Sequence, residues 1–264
     1  MPSVNIALID SGIGLLAAAA AVRRARPDAR LVLSSDPGSM PWGPRSTGEI
    51  VQLALGCARA AARHRPDALV VACNTASVYA LDVLRTELEP ALPVIGTVPA
   101  VKPASAGGGP VAIWATPATT GSPYQRRLIT EFGNGAQVTP VPCHGLADAI
   151  ESADQDRIDA AVSAAAALTP PGVASVVLGC THYELVAGRV SAALHRPGVP
   201  EPRLYGSAEA VAAQVLRRVA AVPEAETRAP GGLTVLLGGR PGSLPPAALS
   251  YPEGRLLTTL STPV

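Results

Sequence analysis

The sequence predicts an α/β protein built as two related halves on parallel β-sheets. Three observations carry this. Short β-branched or apolar runs, without polar/apolar alternation, recur between longer Ala-, Leu- and Arg-rich segments, as expected of strands covered on both faces. Their β-α-β-α order implies a doubly wound sheet. The pattern restarts partway along the chain, and ALVVACNTA in the first half is mirrored by ASVVLGCTHY in the second.

Val4 to Asp10 (VNIALID) reads as a buried strand, followed by a helix from about Leu15 to Arg26 and a second strand in ARLVLSS. Gly48 to His64 forms a helix, Ala68 to Ala72 a third strand and Ala76 to Glu89 another helix. Strands at Leu92 to Gly96 and Pro110 to Ala115 are separated by a loop that includes the Gly-rich break Gly107 to Pro110. Then come a helix at Tyr124 to Phe132, a strand near Gln137 to Pro140 and a long Ala-rich helix ending near Leu168. Ala174 to Gly179 is a strand and Tyr183 to Leu194 a helix. A Pro-rich connector leads to a helix at Ala208 to Val219, one strand in LTVLL and a polar, Pro-rich tail.

With 264 residues, 48% of them hydrophobic, the chain has ample material for a buried core. A formal net charge of +1 offers no argument for nucleic acid, a membrane surface or a polyanionic substrate. No apolar run is long and free enough of Pro and Gly to span a bilayer. MPSVNIALID lacks a basic region followed by a signal-like apolar stretch, so cytoplasmic residence is the expectation. Gly (25) and Pro (27) make up about a fifth of the chain, below the roughly 25–30% that marks low-complexity sequence. The four cysteines, Cys57, Cys73, Cys143 and Cys180, are read as free thiols rather than disulfides.

Cys73 and Cys180, 107 residues apart, each follow a buried strand and precede two polar residues and a helix start. In open α/β sheets the carboxyl ends of strands are where ligands bind. A thiol just before a helix N-terminus lies near its positive end, which favours thiolate, and the backbone N–H groups there can hold a carboxylate. Asn74 and Thr75 add hydrogen-bonding groups beside the first sulfur, and Thr181 and His182 beside the second. Such a pair suits two-base proton exchange, in which one thiolate removes a Cα proton and the other thiol returns one to the opposite face. A buried cysteine taken alone is usually a small hydrophobe. Cys57 and Cys143 fit that reading, and His64 and His195 fit surface or capping roles at helix ends.

The same sequence offers residues for other chemistries. Cys180 with His182 and Cys143 with His144 supply four zinc-type ligands, without the spacing of familiar sites. Gly12-x-Gly14-x-x-Ala17 follows a strand, and Asp36 ends the next one, which meets a loose dinucleotide-binding fingerprint. Asp10-Ser11 at that strand end would repel a pyrophosphate. Pyridoxal phosphate needs a Schiff-base lysine, and the sole lysine, Lys102, lies in the loop-like VPAVKPAS.

These motifs resemble those of glutamate racemases. IALIDSGIGLL resembles the opening of that family, MPWGPRS its P-Y-G-x-R/K-S segment, and ACNTAS and LGCTHYEL its two cysteine motifs. VIGTVPAVKPA resembles the segment linking the family's halves, with Lys102 as a framework residue. TPATT resembles its T-x-x-T, and CHGLADAIE leads to Glu151. The resemblance runs from residue 4 to about 215.

It implies two similar doubly wound parallel-sheet domains with the active site between them. Residues 1–96 with 208–264 would form the first, carrying Asp10 and Cys73, and residues 97–207 the second, carrying Glu151 and Cys180. Cys73 and Cys180 would be the paired acid/base residues, Asp10 supporting Cys73, and His182 with Glu151 supporting Cys180. Ser11, Asn74, Thr75, Thr116, Thr119 and Thr181 would hold the substrate, with a backbone contact at Gly43 and Trp42 in the pocket. The resemblance further implies an amino-acid racemase without cofactor or metal, a homodimer, and a supply of D-glutamate for peptidoglycan. Departures fall at Trp42, where the family has Tyr, at Gly206-Ser207 in place of Asp-Ser, and at LLGGRPG. They leave the thiol pair intact but touch the substrate walls, which keeps open a racemase of aspartate or another amino acid, while the Gly12 to Ala17 segment keeps open a dinucleotide-binding Rossmann-like protein. A non-catalytic relative keeping the fold is a third.

Overall fold

A strand covered by helices on both faces is apolar on both sides, and β1 (Asn5–Asp10), apolar from Ile6 to Ile9 between its two polar ends, is buried along its whole length. The computed structural model describes residues 4–220 and 231–259. After β1 come a 3₁₀ turn at Ile13–Leu15, α1 (Leu16–Ala25), β2 (Arg30–Ser35), α2 (Thr47–Ala62) and β3 (Ala68–Val71). Then follow α3 (Asn74–Tyr79), α4 (Leu81–Leu88), β4 (Val94–Gly96), α5 (Val101–Ala106) and β5 (Val111–Ala115). The chain continues through α6 (Pro123–Phe132), β6 (Val138–Pro142), α7 (Leu146–Glu151), α8 (Gln155–Leu168) and β7 (Ser175–Leu178). A 3₁₀ turn at Thr181–Val186 leads to α9 (Ala187–Leu194), β8 (Arg203–Tyr205) and α10 (Ala208–Arg218). Last come β9 (Leu233–Leu237), β10 (Arg240–Gly242), a 3₁₀ turn at Pro246–Ser250 and α11 (Pro252–Thr259).

The chain divides into two units, Met1–Thr97 with Ala208–Val264, and Val98–Ser207. The first holds a six-stranded sheet ordered β10-β9-β2-β1-β3-β4, parallel except for β10 against β9. The second holds a parallel four-stranded sheet ordered β6-β5-β7-β8. The strand order β2-β1-β3-β4 is thus repeated as β6-β5-β7-β8. In each unit the chain leaves the first strand to one side and later returns on the other. That reversal opens a crevice outside the carboxyl ends, between β1 and β3 and between β5 and β7, where ligands of such sheets bind.

The core of the first unit packs α2 onto the sheet through Ile50, Ala54, Ala58 and Ala61, against Ile9, Leu69 and Val71. Recurring alanines on that helix face let it approach the strands closely. In the second unit Val101, Ala104, Val111, Ile113, Leu128 and Val177 form the corresponding cluster.

Several expected boundaries are corrected. The single helix expected over 76–89 begins at Asn74 and breaks at Ala80. There α4 seats Leu81 on β4 so closely that a Cβ at Gly96 would lie 2.5 Å from Leu81 Cδ2. The long Ala-rich helix is two, α7 and α8, separated by Ala153 with a left-handed φ of 53°. Asp154 restarts it by accepting the Arg157 N–H at 3.1 Å, the N-cap arrangement that suits Asp. The segment between the fourth and fifth strands, expected as loop, contains α5, whose Pro103 falls in the first turn, where no N–H is needed. The Pro-rich connector contains edge strand β8. The polar, Pro-rich tail contains β10, a 3₁₀ turn and α11, which packs on α1. Finally, Cys180 is followed by a 3₁₀ turn rather than an α-helix start.

Candidate active site

In the first unit the end of β1 lies beside the end of β3. The Ala72 N–H donates to Ile9 O at 2.9 Å, one residue past the strand, so the segments carrying Asp10 and Cys73 leave the sheet side by side. Asp10 is fully buried and its Oδ1 accepts from the Ser11 backbone N–H at 2.7 Å and from Ser11 Oγ at 3.3 Å. Such donors offset part of the cost of taking a carboxylate out of water. Cys73 is buried, in extended conformation (φ −139°, ψ 121°), at the N-cap position of α3, and its carbonyl accepts the Ser77 N–H. Asn74 is buried and Thr75 half-buried on the first turn of α3.

Two residues that sequence reasoning passed over set this strand end. The Val71 carbonyl, two residues before Cys73, accepts from Ser77 Oγ at 3.2 Å and Thr97 Oγ1 at 2.8 Å. Ser77 Oγ in turn accepts the Thr97 N–H at 2.9 Å. Ser77 lies inside the quoted ACNTAS segment, but its partner is 20 residues away, beyond any local signal. Trp42 is 1% exposed, in the same apolar cluster as Cys73, and its indole N–H donates to Ser39 Oγ at 2.9 Å. Gly43 is half-buried in a turn closed by the Arg45 N–H on Trp42 O.

In the second unit Cys180 is extended (φ −135°, ψ 135°), two residues past β7 as Cys73 is past β3, and is partly exposed. Its Sγ lies 3.9 Å from His182 Nδ1, and His182 Nε2 lies 2.9 Å from Glu151 Oε2. Glu151 reaches this position as the last residue of α7, so the break before α8 places it. When Nε2 carries the proton and donates to the carboxylate, Nδ1 is left as an acceptor toward the thiol. A proton arriving on Nδ1 would be stabilised by Glu151. The arrangement can therefore pass a proton to and from sulfur.

The neighbouring groups stay neutral. Burial, followed by the charge at Cys180, pushes the Cys143 thiol up to about 12. Burial, again with Cys180 next in weight, pushes the Tyr183 hydroxyl well above its usual 10.0; it donates to the Cys143 carbonyl at 3.5 Å. Thr181 is buried. Thr116 and Thr119 are half-buried on the loop after β5, their hydroxyls 3.1 Å apart. Thr116 thus follows β5 as Ser11 follows β1, at the matching crevice of each unit.

The other chemistries find less support. Among the described residues no group of three or more His, Cys, Asp or Glu is arranged to hold a metal ion. Cys143 is buried while His144 beside it is exposed. The Gly12 to Ala17 segment is buried throughout and forms a 3₁₀ turn, and the Ser11 N–H before it is already taken by Asp10. Lys102 stands exposed on α5. No helix among the described residues is long and apolar enough to cross a membrane.

Comparison with known proteins adds to this geometry. Residues 14–215 match the pattern of a family described as Asp/Glu/Hydantoin racemase. The chain is 37% identical over 192 residues to a glutamate racemase from Roseiflexus sp. (strain RS-1), covering 71% of this chain and 70% of that one. It is 33% identical over 226 residues to a glutamate racemase from Herpetosiphon aurantiacus, covering 84% and 87%. Its fold is similar to that of Escherichia coli glutamate racemase in complex with L-glutamate and the activator UDP-MurNAc-ala, with a TM-score of 0.77 at 26% identity, covering 98% and 94%.

Proposed function

Since the chain belongs to the Asp/Glu/hydantoin racemase family, we propose that it is an isomerase interconverting L- and D-glutamate without a cofactor. Cys73 and Cys180 are its two proton carriers. One sulfur, as thiolate, takes the Cα proton, and the C–H electron pair is held on the substrate's Cα and carboxylate. The other sulfur, as thiol, gives its proton to the opposite face, so the two sulfurs exchange protonation states in each turnover. Asp10 supports Cys73, and His182 with Glu151 supports Cys180. Ser11, Asn74, Thr75, Thr116, Thr119 and Thr181 bind the amino acid's charged groups, with Gly43 offering a backbone contact and Trp42 backing the pocket.

The single observation that carries this reading is the matched placement of two thiols, each two residues past the third strand of a repeated parallel sheet. Residues 1–96 with 208–264 and residues 97–207 act as the two functional domains, each contributing one sulfur. The enzyme works in the cytoplasm as a homodimer and supplies D-glutamate for peptidoglycan.

Incubation of the purified protein with L-glutamate in D₂O, with no added cofactor, tests it. The expected result is deuterium at Cα with growth of D-glutamate, lost in both Cys73→Ala and Cys180→Ala. Absence of exchange with glutamate would overturn the substrate, and exchange with aspartate instead would reassign it. Wild-type turnover in either cysteine variant would remove the two-base mechanism.

A further inference from the structure

Gly206 carries no side chain, and the space a side chain would take is filled by the carboxylate of Glu184. A Cβ at position 206 would overlap that carboxylate, 2.6 Å from Glu184 Cδ. The Gly206 backbone lies outside the left-handed region, so no φ demands glycine there. The three atoms nearest to such a Cβ all belong to Glu184. The carboxylate's other oxygen, Oε1, accepts both the Ser207 backbone N–H and the Ser207 hydroxyl, each at 2.8 Å. Ser207 is buried, and Glu184 half-buried.

Glu184 belongs to the 3₁₀ turn Thr181–Val186, two residues after His182 and four after Cys180. A 3₁₀ turn has poorer hydrogen-bond geometry than an α-helix and gains more from an outside anchor. One end of this turn is fixed by β7, and Glu184 ties the other to the segment that follows β8. Two charge-assisted hydrogen bonds on one carboxylate form a strong, directional tie.

We propose that Glu184 is a positioning residue for Cys180 and His182, and that Gly206 is glycine in order to seat it. This rests on the racemase reading above, in which Cys180 is one of two proton carriers. A side chain at position 206 acts by displacing the Glu184 carboxylate, so damage at 206 and damage at 184 are the same damage.

A double-mutant cycle in the full-length protein tests this, with Glu184→Ala, Gly206→Ala and both together. Each single change is expected to lower kcat about 10-fold with KM changed less than about 3-fold, the pattern of a displaced reacting group. The double variant should be no slower than the slower single, because coupled sites are non-additive. Glu184→Gln keeps an acceptor and the side-chain volume and should fall between wild type and Glu184→Ala. It also serves if the alanine variants do not fold. Iodoacetamide labelling against pH, read by peptide mass spectrometry, should show a changed rate profile at Cys180 and an unchanged one at Cys73. Multiplying losses in the double variant, or a Cys180 profile identical to wild type, would overturn the proposal. Altered Cys180 labelling in a protein whose wild type racemises nothing would uphold the positioning and remove only the racemase reading.

Discussion

His182 stands between Glu151 and Cys180, with its Nε2 2.9 Å from the Glu151 carboxylate and its Nδ1 on the side of the sulfur. His182 is 3% exposed, so its tautomer is set by protein groups rather than by water. His182→Asn should lower kcat by about 100-fold, within the range for a lost proton-transfer group. Glu151→Gln should cost less, because a neutral amide still orients the ring. The two changes together should be no worse than His182→Asn alone, since the Glu151 carboxylate meets the imidazole and not the sulfur in the Glu151–His182–Cys180 line. Steady-state rates from chiral chromatography decide this; independent, multiplying losses would separate the two residues.

Cys57 and Cys143 give the fold an alkaline limit. Both thiols are pushed from 9.0 to about 12 by burial, with nearby negative charge adding to it: Asp36 and Asp10 for Cys57, Cys180 for Cys143. Above pH 9 the unfolded chain releases these protons while the folded chain keeps them. The unfolded state then binds fewer protons, and stability falls as pH rises from about 9 toward 12. Urea midpoints measured from pH 8 to pH 11 should decline over that window, and Cys57→Ala should reduce the decline. At pH 8 neither thiol should react with iodoacetamide until the protein unfolds.

Gly179 and Ala72 hold the same place before their cysteines, yet they are not interchangeable. A Cβ on Gly179 would lie 2.7 Å from the Trp114 carbonyl oxygen and 3.3 Å from Ile113 Cγ2. The Gly179 N–H donates to that same carbonyl at 2.8 Å, so β7 and β5 close tightly just before Cys180. Backbone cannot swing aside as a side chain can. Gly179→Ala should cost roughly 1–3 kcal/mol, the range for overpacking, together with a fall in kcat. A variant of wild-type stability in urea would show that the strand ends can part without loss.

Trp42 joins the core of the first unit to the neighbourhood of Cys73. It is 1% exposed, with its indole N–H satisfied by Ser39. Trp42→Ala should destabilise by roughly 3–5 kcal/mol, as large-to-small changes in cores do, and chemical denaturation will measure it. A rise in KM without loss of stability would instead make the indole a substrate contact.

Much of the site could be read from the chain before its fold was known. The runs ending at Val71 and Leu178 are apolar without alternation, and a cysteine with two polar residues follows each. Harder to read were the divisions of long helical patterns. Helical periodicity passes straight through Ala80 and Ala153, because alanine favours the helix whether or not the helix continues. Asp154 supplies the N-cap of α8 inside that continuous pattern. Short edge strands such as β8 and β10 carry too few residues for a pattern to show.

Hydrophobic spacing is a local property, so the chain alone determined the parallel-sheet class, the repeat of its two halves and the position of both thiols at strand ends. What surrounds those thiols was decided by tertiary structure. Glu151 meets His182 across 31 residues, Thr97 meets Val71 across 26, and Glu184 fills the space over Gly206. Hydrogen bonds and steric exclusion act over a few ångströms in directions set by the folded backbone, and no spacing along a chain encodes them.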